Sequence, residues 1–160
     1  MENSKNYVRI LMDALDKKKT ALEHIRELTQ HQQELLKEQR VDFDQFDTLI
    51  NEKNIYLEEI EKLDDGFVVT FEKVREYIAN NKVQLSTEIN TMQNSIRQIT
   101  DLAVEIDTME RRNRQSFELA MSRERQSIKM RRQSKQSASK YYQNVMRATS
   151  GESFYMDKKK

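Results

Sequence analysis

Apolar residues recur along this chain in alternating steps of four and three, the spacing of one helix face that packs along its whole length. In the first run Tyr7, Leu11, Ala14, Lys18, Ala21, Ile25, Leu28, Gln32 and Leu35 keep the step, and Ile10, Leu15, Leu22 and Leu36 widen the stripe. This predicts a helix from about Ser4 to Gln39. "RVDFDQF" interrupts the stripe, with Asp42 or Asp44 positioned to cap the helix that follows. The pattern resumes through Phe46, Ile50, Lys53, Leu57, Ile60, Asp64, Phe67, Phe71, Val74 and Ile78. The phase is kept on both sides of "DDG", which predicts a continuous or kinked helix through Gly66. Glycine weakens such a helix by about 1 kcal/mol relative to alanine.

If a short turn near residue 40 folds the two stripes antiparallel, facing layers have position numbers that sum to a constant. Leu35 with Phe46, Leu28 with Lys53, Ile25 with Leu57, Ala21 with Ile60, Lys18 with Asp64, Ala14 with Phe67, Leu11 with Phe71 and Tyr7 with Val74 all sum to 81 or 82. One polar seam residue, Lys18, meets the opposite charge of Asp64. Gln32 lies opposite Ile50, one layer from Lys53, so the lysine has a polar neighbour. Isolated polar groups in a seam reduce stability and specify register, the role expected of Lys18, Gln32, Lys53 and Asp64. The competing reading for Lys53 is a stem that packs while its ammonium reaches solvent.

After "IANNKV" a third stripe runs from Leu85 through Ile89, Met92, Ile96, Ile99, Ala103 and Ile106. The phase slips by one residue at Asn81, and Asn80-Asn81 is a turn signal. A return helix is the first expectation, with continuation of the second helix as the alternative. The arms are about 36 residues, or ~54 Å at ~1.5 Å per residue, so a third helix starting near Lys82 outruns its cover near Phe117. Seam positions there become Glu110 and Asn113. A helix without partners is marginal in water. The pattern therefore predicts an all-α fold: an elongated antiparallel coiled-coil hairpin or bundle of three long helices over 1–117. A mobile, basic, partner-binding overhang and tail is expected over 118–160.

Composition agrees with the helical reading: 160 residues hold no proline, two glycines and 34% charged side chains. The absence of cysteine excludes disulfides and thiol chemistry. The first residues, "MENSKNY", carry no apolar signal region, and no run reaches the roughly 18 apolar residues of a membrane span. A cytoplasmic protein without membrane insertion is expected. The net charge of +1 conceals a separation, since residues 1–110 carry 14 basic and 23 acidic residues, a net of −9. Residues 111–147 carry 11 basic and 2 acidic ones, a net of +9. Such a chain recruits an acidic partner at one end or folds its basic end onto itself.

No catalytic constellation or glycine-rich phosphate loop is present, so neither enzyme activity nor a cofactor is expected. His24 and His31 are seven apart without a cysteine to join them, a poor basis for a metal site. The basic tract with Phe117, Tyr141 and Tyr142 has the residue types of nucleic-acid contacts. The acidic first 110 residues oppose that binding and no known nucleic-acid motif accompanies it, so a partner-binding tail ranks above it. Met92, Met109, Met121, Met130 and Met146 fit packing, or an adaptable groove for an amphipathic peptide.

The stretch "ALEHIRELTQHQQELLKEQRVDFDQFDTLINEKNIYLEEIEKLD", the long third helix and the closing "SFYMDKKK" resemble the FlgN family of flagellar type III export chaperones. The family's "EK" followed by aliphatics is matched by Glu52, Lys53, Leu57 and Ile60, and an aromatic-Asp-Lys tail by Phe154, Asp157, Lys158 and Lys159. The resemblance implies a protein that binds the C-terminal amphipathic helices of hook-filament junction (hook-associated) proteins, prevents early assembly and delivers them to the flagellar export gate. Phe117, Met121, Ile128, Tyr141 and Tyr142 are then the expected client contacts, with Met92, Ile96 and Ile99 shared with the core. Phe154 and Tyr155 are assigned to client or gate. The alternatives are a FliT-like filament-cap chaperone, separated only by its client, and a structural coiled-coil scaffold that homodimerises through the third helix.

Overall fold

In this computed structural model residues 2–131 and residue 143 are described. Three α-helices form: α1, Glu2–Lys37; α2, Phe43–Asn80; and α3, Ser86–Arg131. The described residues contain no strand, and the fold is the all-α coiled-coil bundle that the stripes predict. Helix α2 passes through Gly66 without a break. A return helix follows it, because residues 81–85 form a turn before α3 begins.

Local chemistry explains the boundaries. The Asp42 carboxylate accepts a hydrogen bond from the Gln45 amide at 3.0 Å, and the Phe46 amide donates to the Asp42 carbonyl at 3.1 Å. Asp42, rather than Asp44, is therefore the N-cap of α2. Val41, just before the cap, packs against the apolar cluster that includes Phe46, in the manner of a hydrophobic staple. At the other end Asn81 Nδ2 donates to the Tyr77 carbonyl at 2.7 Å and satisfies an acceptor that the ending helix leaves open. The Leu85 amide then donates to the Asn81 carbonyl at 2.9 Å, which leads the chain into α3.

The chain divides into two compact units. The described part of the first comprises residues 2–25 and 55–104. Leu11, Ala21, Ile60, Val74, Ile99 and Leu102 are buried there. Lys18 Nζ lies 2.8 Å from Asp64 Oδ1, two residues that the antiparallel layer count brings face to face. His24 stacks on Tyr56 with ring centroids 4.9 Å apart, and Lys73 Nζ stands 5.2 Å from the centre of the Tyr7 ring. The stripe of α3 differs from expectation at two layers, with Ser95 buried in place of Ile96 and Leu102 in place of Ala103. Ser95 is buried and Ile96 is 47% exposed, because the inward face runs Met92, Ser95, Ile99, Leu102 and leaves Ile96 at its edge.

The described part of the second unit comprises residues 26–54 and 105–131. Lys53 is 1% exposed in it, so its ammonium does not reach solvent. Nζ donates to Gln32 Oε1, to Thr29 Oγ1 at 3.5 Å, and to Glu110 Oε1, with which it forms an ion pair. Thr29 Oγ1 donates to the same Glu110 oxygen at 3.1 Å, and Asn113 Nδ2 donates to the Thr29 carbonyl at 3.0 Å. Gln32 Nε2 reaches the Phe46 carbonyl at 3.4 Å. Thr29 and Gln32 come from α1, Lys53 from α2, and Glu110 and Asn113 from α3. One polar layer thus aligns three helices. A buried charge of this kind persists only when its partners compensate its desolvation.

Both the glycine and the polar layer can be tested by substitution. At Gly66 an added Cβ meets nothing within 4 Å, so Gly66→Ala is expected to stabilise the chain by about 1 kcal/mol, read as a higher urea midpoint; a lower midpoint would contradict an unstrained helix there. Glu110→Leu, which strands the buried lysine charge, is expected to destabilise by about 3–5 kcal/mol. Adding Lys53→Met should recover at least half of that loss, and a double variant as unstable as the single one would show that the ion pair is not the layer's main constraint.

Candidate functional site

The stretch "RRNRQSFELAMSRERQSIKMR" forms the last part of α3 and combines the chain's basic excess with the apolar spacing Phe117, Ala120, Met121 and Ile128. Phe117 is 1% exposed and Met121 fully buried. Phe117 meets the ring of Phe43 edge-on, with centroids 5.6 Å apart, and that of Phe46 at 5.0 Å. Leu35, Leu49, Ile50 and Ala120 complete the cluster, with Leu28, Leu36, Val41 and Ile128 packed partly against it. Burying one large apolar side chain contributes about 1.5–3 kcal/mol, so these aromatic contacts hold this end of α3 on the α1–α2 pair.

Phe117 and Met121 are therefore core residues here and do not stand open to a client. The cause is the start of α3. Residues 81–85 are spent in a turn, so the helix begins at Ser86 instead of near Lys82, and the end of its cover moves from near Phe117 to near Met121. The packed bundle correspondingly runs past residue 117 through Ala120 and Met121.

Beyond Met121 no residue from 122 to 129 is buried. Ile128 is half-buried, as are Glu124 and Ser127, and Arg123, Arg125 and Lys129 are exposed. Leu119 is 61% exposed on the opposite face. This segment presents basic charge and little apolar surface. Tyr141, Tyr142, Phe154 and Tyr155, and with them the expected mobile tail, lie outside the described residues.

Of the other expected contacts, Ile99 is buried in the first unit, Met92 is half-buried and Ile96 is exposed. Ile96 lines an open crevice of about 220 Å³ with Ala14, Leu15, Leu63, Phe67 and Val68, edged by Lys18 and Asp64. The crevice is large enough for one or two apolar side chains of a partner. Among the described residues no group of three or more His, Cys, Asp or Glu is arranged to hold a metal. No described helix is long and apolar enough to cross a membrane.

Sequence reasoning missed the part played by Glu110 and Asn113, which look like the decay of the third stripe and are the α3 contribution to the Lys53 layer. A signal was present. Lys53 plus Glu110 and Phe46 plus Phe117 have the same position sum, the register of an antiparallel α2–α3 pair.

The described surfaces comprise an apolar cluster closed by α3, a neighbouring basic helix end and, in the other unit, an apolar crevice. No curated protein and no solved structure matches the chain. A sequence model of the FlgN protein family matches residues 1–148. That match reaches into both compact units and covers the whole basic stretch 111–147, and its family is one of chaperones that bind flagellar proteins, not of known enzymes. The chain belongs to the FlgN family of flagellar export chaperones.

Proposed function

We propose that this protein binds the C-terminal amphipathic helices of hook-filament junction proteins in the cytoplasm, keeps them from assembling early and hands them to the export gate. The observation that carries the reading is the end of α3, which continues past the last buried side chain of the cluster, Met121, to Arg131 with no buried residue between 122 and 129. A helix in that state gains stability from any partner that covers it, and an amphipathic client helix supplies such a cover in the helix-in-groove mode. Ile128 is packed partly against the cluster, and we assign Tyr141 and Tyr142 to the client as well. Phe117 and Met121 take part where the client reaches beneath α3. Ile96 and Met92, beside the crevice, serve a second apolar anchor, while Phe154 and Tyr155 serve client or gate.

Isothermal titration and circular dichroism of the purified chain with C-terminal peptides of junction and filament-cap proteins test this reading. A junction peptide is expected to bind saturably with a gain of helicity, and Ile128→Asp with Tyr141→Ala should weaken it at least tenfold, or about 1.4 kcal/mol, while the bundle stays folded. Preference for the cap peptide would move the protein to the cap-chaperone reading. No peptide binding together with a stable homodimer by mass would leave a structural coiled coil instead.

A further inference from the structure

The second unit carries a row of cations on α3 that its core does not use. Arg111, Arg114, Arg125 and Lys129 recur at steps of three, eleven and four, which places them on one side of the helix. Arg111, Arg125 and Lys129 are exposed and Arg114 is half-buried. Glu118 is the one carboxylate in that row. The buried side chains of the same segment, Asn113, Phe117, Ala120 and Met121, lie on another side of α3.

The first unit carries the complement. On α2, Glu58, Glu61, Asp65, Glu72 and Glu76 recur at steps of three, four, seven and four, and all five are exposed. Glu58 to Glu76 and Arg111 to Lys129 each span 18 residues, or ~27 Å of helix at ~1.5 Å per residue. Counted from the first member of each row, the charges of opposite sign fall at the same offsets: Arg111 and Glu58, Arg114 and Glu61, Arg125 and Glu72, Lys129 and Glu76. Two local pairs touch the rows, Arg111 with Asp107 at 3.1 Å and Arg75 with Glu72 at 3.7 Å. Both are solvent-exposed pairs within one helix, a kind that holds its members weakly. Each row therefore keeps charge to offer a partner.

We propose that the basic row of α3 in one copy of this chain docks on the acidic row of α2 in a second copy. The helices run antiparallel, with Arg111 against Glu76 and Lys129 against Glu58. That direction sets Glu118 against Val69 and Asp65 against Ser122, both uncharged, whereas a parallel pairing sets Glu118 directly against Asp65. Like charges face to face disfavour the parallel arrangement. Val68 and Val69, 61% and 58% exposed beside the acidic row, supply apolar contact. The matched spacing favours a second copy over a lipid surface or a nucleic acid, whose phosphates the acidic residues 1–110 also repel. Contacts dominated by exposed charge are weak and screened by salt, so the complex is transient and salt-labile. This separates it from the stable coiled-coil homodimer weighed above. The inference does not depend on the export-chaperone reading, which the peptide titration tests separately.

Sedimentation equilibrium of the full chain reads the association directly. At about 0.02 M salt the average mass is expected to rise with protein concentration, and at about 0.5 M salt it should return to that of a monomer. Arg125→Glu with Lys129→Glu should weaken the low-salt association by about tenfold. Adding Glu58→Lys and Glu61→Lys, the antiparallel counterparts, should restore it, whereas adding Glu72→Lys and Glu76→Lys should not. Arg112→Glu with Arg123→Glu removes the same charge from exposed positions outside the row, and should change the association by less than about threefold. All of these positions are exposed, so each variant is expected to keep its helicity by circular dichroism. A chain that stays monomeric at low salt, including one that binds phosphatidylglycerol vesicles instead, would overturn the proposal. So would association that persists at high salt, equal loss from the two arginine–lysine variants inside and outside the row, or rescue by the parallel counterparts.

Discussion

A lysine ammonium withdrawn from water is the constraint around which this structure is arranged. Lys53 is buried at its place in α2, and the other helices bring acceptors to it: a hydroxyl and an amide from α1 and a carboxylate from α3. Apolar layers tolerate slippage by a turn at modest loss, because one aliphatic side chain substitutes for another. A layer with one cation and one carboxylate does not, since any other register separates the charges in a medium that solvates neither. The aromatic cluster of Phe43, Phe46 and Phe117 stands in the same α2–α3 register, two helical turns along α3 from Glu110.

The same arrangement governs what the protein can offer a client. Apolar side chains that look available in the sequence, Phe117 and Met121, are used to close the bundle. Among the described residues, the surface in the open includes the basic end of α3 and, in the other unit, the crevice beside Ile96. Family membership supplies the biological setting, and the buried ion pair supplies the register in which the three helices meet.

Much of the architecture was legible from spacing alone. The constant position sum of the first two stripes identified their antiparallel pairing, and the Lys18–Asp64 ion pair lies at one of those layers. Asp42 and Asn81 marked helix boundaries because side-chain oxygen and amide groups satisfy the backbone groups that helix ends leave open. The candidate site was less legible. Ser95 and Ile96 are adjacent, and hydrophobicity alone puts isoleucine inside; the face that α3 turns inward carries serine there instead. Glu110 and Asn113 read as the end of a core because a single stripe carries no information about a partner charge on another helix.

The sequence by itself determined the all-α class, the antiparallel register open to the first two stripes, a third helical stripe and the separation of acidic and basic halves, because each depends on local periodicity, capping or charge count; that the third stripe returns after a turn was decided by the structure. Only the tertiary structure decided that Lys53 meets Glu110, that the cover of α3 extends to Met121, and that Phe117 belongs to the core. Those outcomes depend on the relative sliding of helices by a few residues. A turn of five residues, 81–85, changes that sliding by about one helical turn, and no local pattern measures it.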